Sequence, residues 1–166
     1  MSFLLRSAQS CRTMSSATMV TLGSLKRIQA PKLAEQLLAN AENPGDDSVA
    51  IVDVRDDDHI GGHIQGSIHA PSQSLDAMMP TLLRKLEDKE TVVFHCALSQ
   101  QRGPSAALKY ARERAALVEK MKKEGKQEKV QTVYVLDRGF VGWQEVYGTD
   151  ERLTEGYEKE IWANGY

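Results

Sequence analysis

Cysteine is almost missing from this chain: Cys11 and Cys96 are the only two in 166 residues. Two thiols so far apart, the first of them in a serine-rich leader, make no disulfide framework, which fits a reducing intracellular compartment. An excess of either charge is missing too. Twenty-one Lys and Arg against 23 Asp and Glu leave a formal net charge of −2, so the basic stripe expected of a nucleic-acid binder is absent. The mixed-sign run from Arg112 to Lys129 reads as a solvated helix face. No apolar run approaches the length of a membrane span, and nothing in the length calls for a second domain.

Acidic residues are absent before Glu35, while Arg6, Arg12, Lys26 and Arg27 all precede it. Residues 1–21 therefore read either as a flexible leader or as a mitochondrial transit peptide. The first reading places the protein in cytoplasm and nucleus, the second in the mitochondrial matrix. Phe3-Leu4-Leu5 is too short for the apolar core of a secretory signal.

What is present centres on Thr91 to Ala107, T-V-V-F-H-C-A-L-S-Q-Q-R-G-P-S-A-A. Thr91 to His95 is β-branched and aromatic, the pattern of a short buried strand. Gly103-Pro104 opens an alanine-rich run, with Pro104 suited to the first helical position. Residues 96–102 must then form a tight loop at a helix N-terminus, where backbone N–H groups and the helix dipole favour an anion. Ala97, Leu98, Ser99, Gln100 and Gln101 would supply the amides, and Arg102 a planar fork for two oxygens of a tetrahedral oxyanion. Cys96 lies at the floor of that ring, where the same positive field favours the thiolate. A lone cysteine on an apolar strand is usually packing. Here the apolar run stops before Cys96, and the pattern points to a nucleophile held against an oxyanion centre.

The loop H-C-A-L-S-Q-Q-R-G-P resembles that of the rhodanese-fold dual-specificity phosphatases of the cell-division-cycle type and of the eukaryotic arsenate reductases built on the same fold. Sulfur-transferring rhodaneses carry a loop one residue shorter, so C-x5-R implies the larger phosphate or arsenate. Two further stretches carry the resemblance: D-V-R followed by G-G-H-I-Q-G-S-I, and the G-F-x-x-W of Gly139 to Trp143. What it implies is a cysteine-dependent phosphatase acting on a phosphorylated protein or small oxyanion through a phosphocysteine. The alternative is an arsenate reductase with glutathione as co-substrate and glutaredoxin as partner. A phosphoprotein-binding module and a thiosulfate sulfurtransferase come behind both. Cys96 and Arg102 are the implied catalytic pair, with no cofactor, nucleic acid or membrane involved. Cell-cycle phosphatases have a glutamate, proposed as proton donor, where this chain has Gln101. An amide cannot donate in that way, which leaves Asp57, Asp58 and Asp137 as candidate acids. The Ser99 hydroxyl could bond the thiolate or brace the loop.

The rest of the chain alternates strand and helix. A strand is expected over Leu22 to Ile28, a helix from Pro31 with Leu33, Leu37 and Leu38 on one face, and a turn at Asn43-Pro44-Gly45-Asp46. A buried strand follows at Val49 to Val54, then a helix from Ser74 to Leu86 capped by Ser74. The helix after the loop should run from Pro104 to about Glu124 and stop at Gly125, ahead of a last strand over Val130 to Leu136. This predicts a single α/β domain over residues 22–147, rhodanese-like, with a largely parallel central sheet and helices on both faces. Residues 148–166 match nothing and form a C-terminal extension of unknown role. His59, His63 and His69 have no cysteine nearby and no common metal spacing, so no metal is expected. Asp53, Arg55 and His63 are read as structural, and Phe140 and Trp143 as core.

Overall fold

The computed structural model describes residues 19–43 and 45–165; most of the leader, with Cys11, and Pro44 of the expected turn lie outside them. Strands β1 (Lys26–Ile28), β2 (Val49–Asp53), β4 (Ile68–His69), β5 (Thr91–His95) and β6 (Thr132–Leu136) form one parallel sheet in the order β1-β6-β5-β2-β4. Helices α1 (Ala30–Glu42), α2 (Leu75–Lys85), α3 (Arg102–Lys123) and α4 (Gly139–Tyr147) cover it.

Strand periodicity divides the core in two. Ala50, Val52 and Val54 of β2 and its end, with Val92 and Phe94 of β5, face Leu75, Met79 and Leu82 of α2 and Ala106, Ala107 and Tyr110 of α3. Ile51 and Val93 point the other way, into a second cluster with Leu33 and Ala34 of α1 and Phe140 and Trp143 of α4. Successive residues of a strand face opposite sides, and a parallel sheet needs both sides covered, which is why β2 and β5 read as nearly unbroken apolar runs.

Several boundaries differ from the expected ones, each for a local reason. Leu22–Ser24 is a 3-10 turn and the first strand starts only at Lys26. The last strand begins at Thr132 because its register pairs Thr91 with Thr132, so Val130 has no strand beside it and is exposed. Ser74 occupies the cap position of α2 without capping through its side chain; its hydroxyl donates to the Pro71 carbonyl, closing the preceding 3-10 turn. Pro104 sits third in α3, within the first turn where a missing N–H costs nothing, since the Gln101 carbonyl already accepts from Ser105 N.

Residues 148–165 pack onto the sheet's second face. Strand β7 (Thr154–Glu155) runs antiparallel to β3 (His63–Ile64), and the short helix α5 (Lys159–Ala163) follows. The Thr154 hydroxyl accepts from Trp143 Nε1 at 3.0 Å and donates to the Tyr147 carbonyl at 2.7 Å. Trp162 lies edge-on to Phe140 with ring centres 5.4 Å apart.

Beneath these elements sits a buried ion pair. Arg55 donates through Nε and Nη2 to the Asp53 carboxylate, the shortest contact being 2.6 Å, and both side chains are fully buried. The guanidinium also donates to the Ile60 and Gly62 carbonyls and lies 4.3 Å over the Phe140 ring. Burial alone would raise the Asp53 pKa; the neighbouring His95 and Arg55 outweigh it and bring it down to about 2. Replacing Asp53 with Asn should leave a buried cation uncompensated and cost about 3–5 kcal/mol in urea unfolding. Since the folded-state pKa lies below the ordinary 3.8, the pair's stabilisation is complete above about pH 4 and is lost as the pH falls toward 2 in the wild type but not in the variant.

Candidate active site

Six residues, 96–101, join the end of β5 to the start of α3. Three of their carbonyls are bonded to segments outside the loop: Cys96 O accepts from Phe140 N at 3.0 Å, Ala97 O from Val141 N at 2.9 Å, and Ser99 O from Arg27 Nη2 at 3.3 Å. In a trans peptide the N–H points opposite to the C=O. Turning these carbonyls outward therefore turns the N–H groups of Ala97, Leu98 and Gln100 toward the loop's interior. Ser99 adopts a left-handed conformation, φ 53°, the bend that lets successive amides converge, and its N–H donates to Cys96 Sγ at 3.3 Å. The expected sulfur contact thus comes from the backbone; the Ser99 hydroxyl is buried and has no hydrogen-bond partner among the described residues.

Helix α4 abuts this loop because residue 139 is glycine. A Cβ there would stand 2.4 Å from the Ala97 carbonyl oxygen and 2.5 Å from that of Cys96. Cys96, 4% exposed, forms the floor, while Leu98, Gln100 and Gln101 are exposed around the mouth.

Arg102 is the first residue of α3 and is held by two carboxylates from the loop after β2. Its Nη1 donates to Asp58 Oδ1 at 2.7 Å and to Asp56 Oδ2 at 3.0 Å, and its Nη2 to Asp58 Oδ2 at 2.6 Å. Three of the five guanidinium N–H bonds are thereby used. The two left, on Nε and Nη2, lie side by side and form the fork suited to a second oxyanion. Asp56 also accepts from the Ser72 hydroxyl and Gln73 N; burial opposes them, but these bonds and Arg102 keep its pKa below the ordinary carboxylate range.

The three candidate acids separate accordingly. Asp58 is ion-paired to Arg102, Asp137 pairs with Arg27 at 3.3 Å and accepts from Gln29, and Asp57 is exposed. Asp56 and Arg27, which hold Arg102 and the Ser99 carbonyl, escaped the sequence reading. The D-D-D run signalled the first; nothing local signals the second. The histidines sit behind the site. His59 stacks on His69 with ring centres 3.8 Å apart, His69 Nε2 bonds the Arg55 carbonyl at 2.8 Å, and His63 pairs with Glu155. Among the described residues no cluster of three or more His, Cys, Asp or Glu is arranged to hold a metal ion.

Comparison with known proteins places this geometry among relatives. The family described as Rhodanese-like domain matches residues 33–146. The Arabidopsis thaliana protein named dual specificity phosphatase Cdc25 is 40% identical over 98 residues, 58% of this chain and 62% of its own length, so the match spans less than two thirds of that relative. Arsenate reductase 2.1 of Oryza sativa subsp. japonica is 43% identical over 124 residues, 74% of this chain and 71% of its own. The crystal structure of Saccharomyces cerevisiae Ygr203w, described as a homolog of single-domain rhodanese and the Cdc25 phosphatase catalytic domain, superposes with a TM-score of 0.68 at 31% identity, covering 88% of this chain and 97% of that one.

If the two aspartates position Arg102, Asp58→Asn should weaken protection of Cys96 from alkylation by inorganic phosphate, by roughly tenfold. Tighter protection would mean instead that Asp58 competes with the anion.

Proposed function

Because the chain belongs to the rhodanese-like domain family, whose members among its relatives include phosphatases and arsenate reductases, we propose that it is a cysteine-dependent phosphatase of the protein-tyrosine and dual-specificity type. The observation that supports this best is the Ser99 N–H on Cys96 Sγ, in a loop whose Cys96, Ala97 and Ser99 carbonyls are bonded outside it, together with an Arg102 guanidinium that keeps Nε and one Nη2 N–H clear of its aspartate partners. The Cys96 thiolate attacks phosphorus, the P–O ester bond breaks, and the leaving oxygen departs with the bonding pair. Inward amides and Arg102 stabilise charge on the equatorial oxygens. Water then attacks the phosphocysteine, the S–P bond breaks, and phosphate leaves with the thiolate restored.

The weak step is protonation of the leaving group. Asp56 is held ionised, Asp58 is engaged in an ion pair, and Gln101 cannot donate. That arrangement favours a second reading, arsenate reduction. There the Cys96 thiolate attacks dihydrogen arsenate, an S–As bond forms, and one oxygen leaves as water with both its protons supplied by the arsenate itself. Glutathione thiolate then attacks the Cys96 sulfur, and the S–As pair stays on arsenic, giving arsenite and a mixed disulfide for glutaredoxin to reduce. No strong acid is required.

Purified protein assayed in parallel with aryl phosphates, arsenate plus glutathione and glutaredoxin, and thiosulfate plus cyanide separates these chemistries from sulfur transfer, and turnover of any of them excludes a pure phosphoprotein-binding module. Cys96→Ser should abolish turnover while oxyanion binding persists, because the hydroxyl keeps the size but not the nucleophilicity of the thiolate; hydrolysis surviving in that variant would remove Cys96 from the mechanism. The phosphatase rate should depend steeply on the leaving group's pKa, and Gln101→Glu should raise it on alkyl phosphates with little benefit to arsenate reduction. A wild type insensitive to the leaving group would reveal another acid.

A further inference from the structure

The loop that aims Arg102 is fastened at its far end by residues outside the matched family domain. Asp56 and Asp58 stand in the middle of residues 55–62. Arg55 secures one side of that segment through its bonds to the Ile60 and Gly62 carbonyls. The carbonyl between those two, Gly61 O, turns toward helix α5 and accepts from Trp162 Nε1 at 2.8 Å. The fit is close. Gly61 has φ +72°, and a Cβ added there would stand 2.6 Å from Trp162 Nε1 and 3.2 Å from Ile161 Cγ2. Trp162 is fixed in turn by its edge-on contact with Phe140, the ring that carries the Arg55 guanidinium. The family match ends at residue 146.

We propose that Trp162 is a positioning residue for the oxyanion site: through Gly61 it holds the acidic loop so that Asp56 and Asp58 present the open fork of Arg102 to a tetrahedral oxyanion such as phosphate or arsenate. This rests on the reading of the site given above. Trp162 touches neither substrate nor sulfur. It acts by restricting a segment whose middle carries two carboxylates, and an arginine fork that wanders loses the alignment on which bidentate recognition depends.

The test uses the full chain and two alkylating agents of similar size, anionic iodoacetate and neutral iodoacetamide. Both form the same type of S–C bond on Cys96 with loss of iodide, so the ratio of their rates reports the electrostatic attraction of the loop. A mass-spectrometric readout restricted to Cys96 keeps Cys11 out of the measurement. Trp162→Phe keeps the aromatic contact with Phe140 and removes the N–H. It should lower the iodoacetate preference about threefold to tenfold, the size of effect expected from one hydrogen bond, with a similar rise in the KM for an aryl phosphate. In an Arg102→Ala background the same substitution should change the ratio no further, because residues acting in series are not additive. Gly61→Ala perturbs the contact from the loop's side and should reproduce the loss should Trp162→Phe fail to fold. A preference that survives both substitutions, or one that falls equally with and without Arg102, overturns the positioning role alone. A wild type with no preference for iodoacetate and no turnover of aryl phosphate overturns the reading of the site together with it.

Discussion

A backbone amide can face an anion only if the carbonyl on the other side of its peptide is satisfied elsewhere. Much of the architecture around Cys96 answers that constraint. The first N–H groups of α4 have no partners within their own helix, and here they serve the Cys96 and Ala97 carbonyls. One helix start thus completes its own hydrogen bonding and turns two peptides of the loop. Gly139 permits the approach, and Phe140 and Trp143, fully buried in the second core, hold the helix in place. A third carbonyl, that of Ser99, is met by Arg27 from the edge strand β1.

The Asp53–Arg55 pair extends the same logic to the arginine side of the site. A buried guanidinium needs partners for all its N–H groups. Arg55 finds them for four of its five N–H bonds in Asp53 and in two carbonyls of the next loop, so its desolvation is offset by bonds that give the loop a defined path. That path brings Asp56 and Asp58 to Arg102, some 44 to 46 residues along the chain. Core and site are therefore not separable here: the charge buried at the end of β2 shapes the loop that holds the charge of Arg102.

The central parts of this arrangement were legible in the sequence because their signals are local. Thr91 to His95 reads as a buried strand from five adjacent residues, and Cys96, Arg102 and Gly103-Pro104 mark the loop and helix that follow it. What escaped the reading depends on contacts between distant residues. Arg27 looks like one more basic residue ahead of Glu35 until β1 is placed beside β6, and the carbonyl it meets lies 72 residues away. Residues 148–165 carry a strand of two residues and a helix of five, too short for any periodicity to show, and their packing rests on contacts such as β7 with β3 and Trp162 with Gly61, the latter across a separation of 101. The boundary errors have the same origin: Val130 has the character of a strand residue, but the register of β6 against β5 leaves nothing for it to pair with.

The charge balance of the site bears on how it would attract the oxyanion of the proposed function. Arg102 is accompanied by two aspartates, and Arg27 by Asp137, so the side chains leave one negative charge in excess around the loop. On the proposed reading, a net positive field from side chains is therefore not what would hold the ligand. Attraction would come from short-range sources, the inward amides, the N-terminus of the 22-residue helix α3 and the open fork of Arg102. Such dipolar forces act over a few ångströms and discriminate by shape, since each donor must meet an oxygen. They also leave little long-range steering for salt to screen. On the proposed reading, a site built in this way would select a tetrahedral oxyanion by geometry, and phosphate and arsenate, alike in shape and charge, would be told apart only by the chemistry that follows binding.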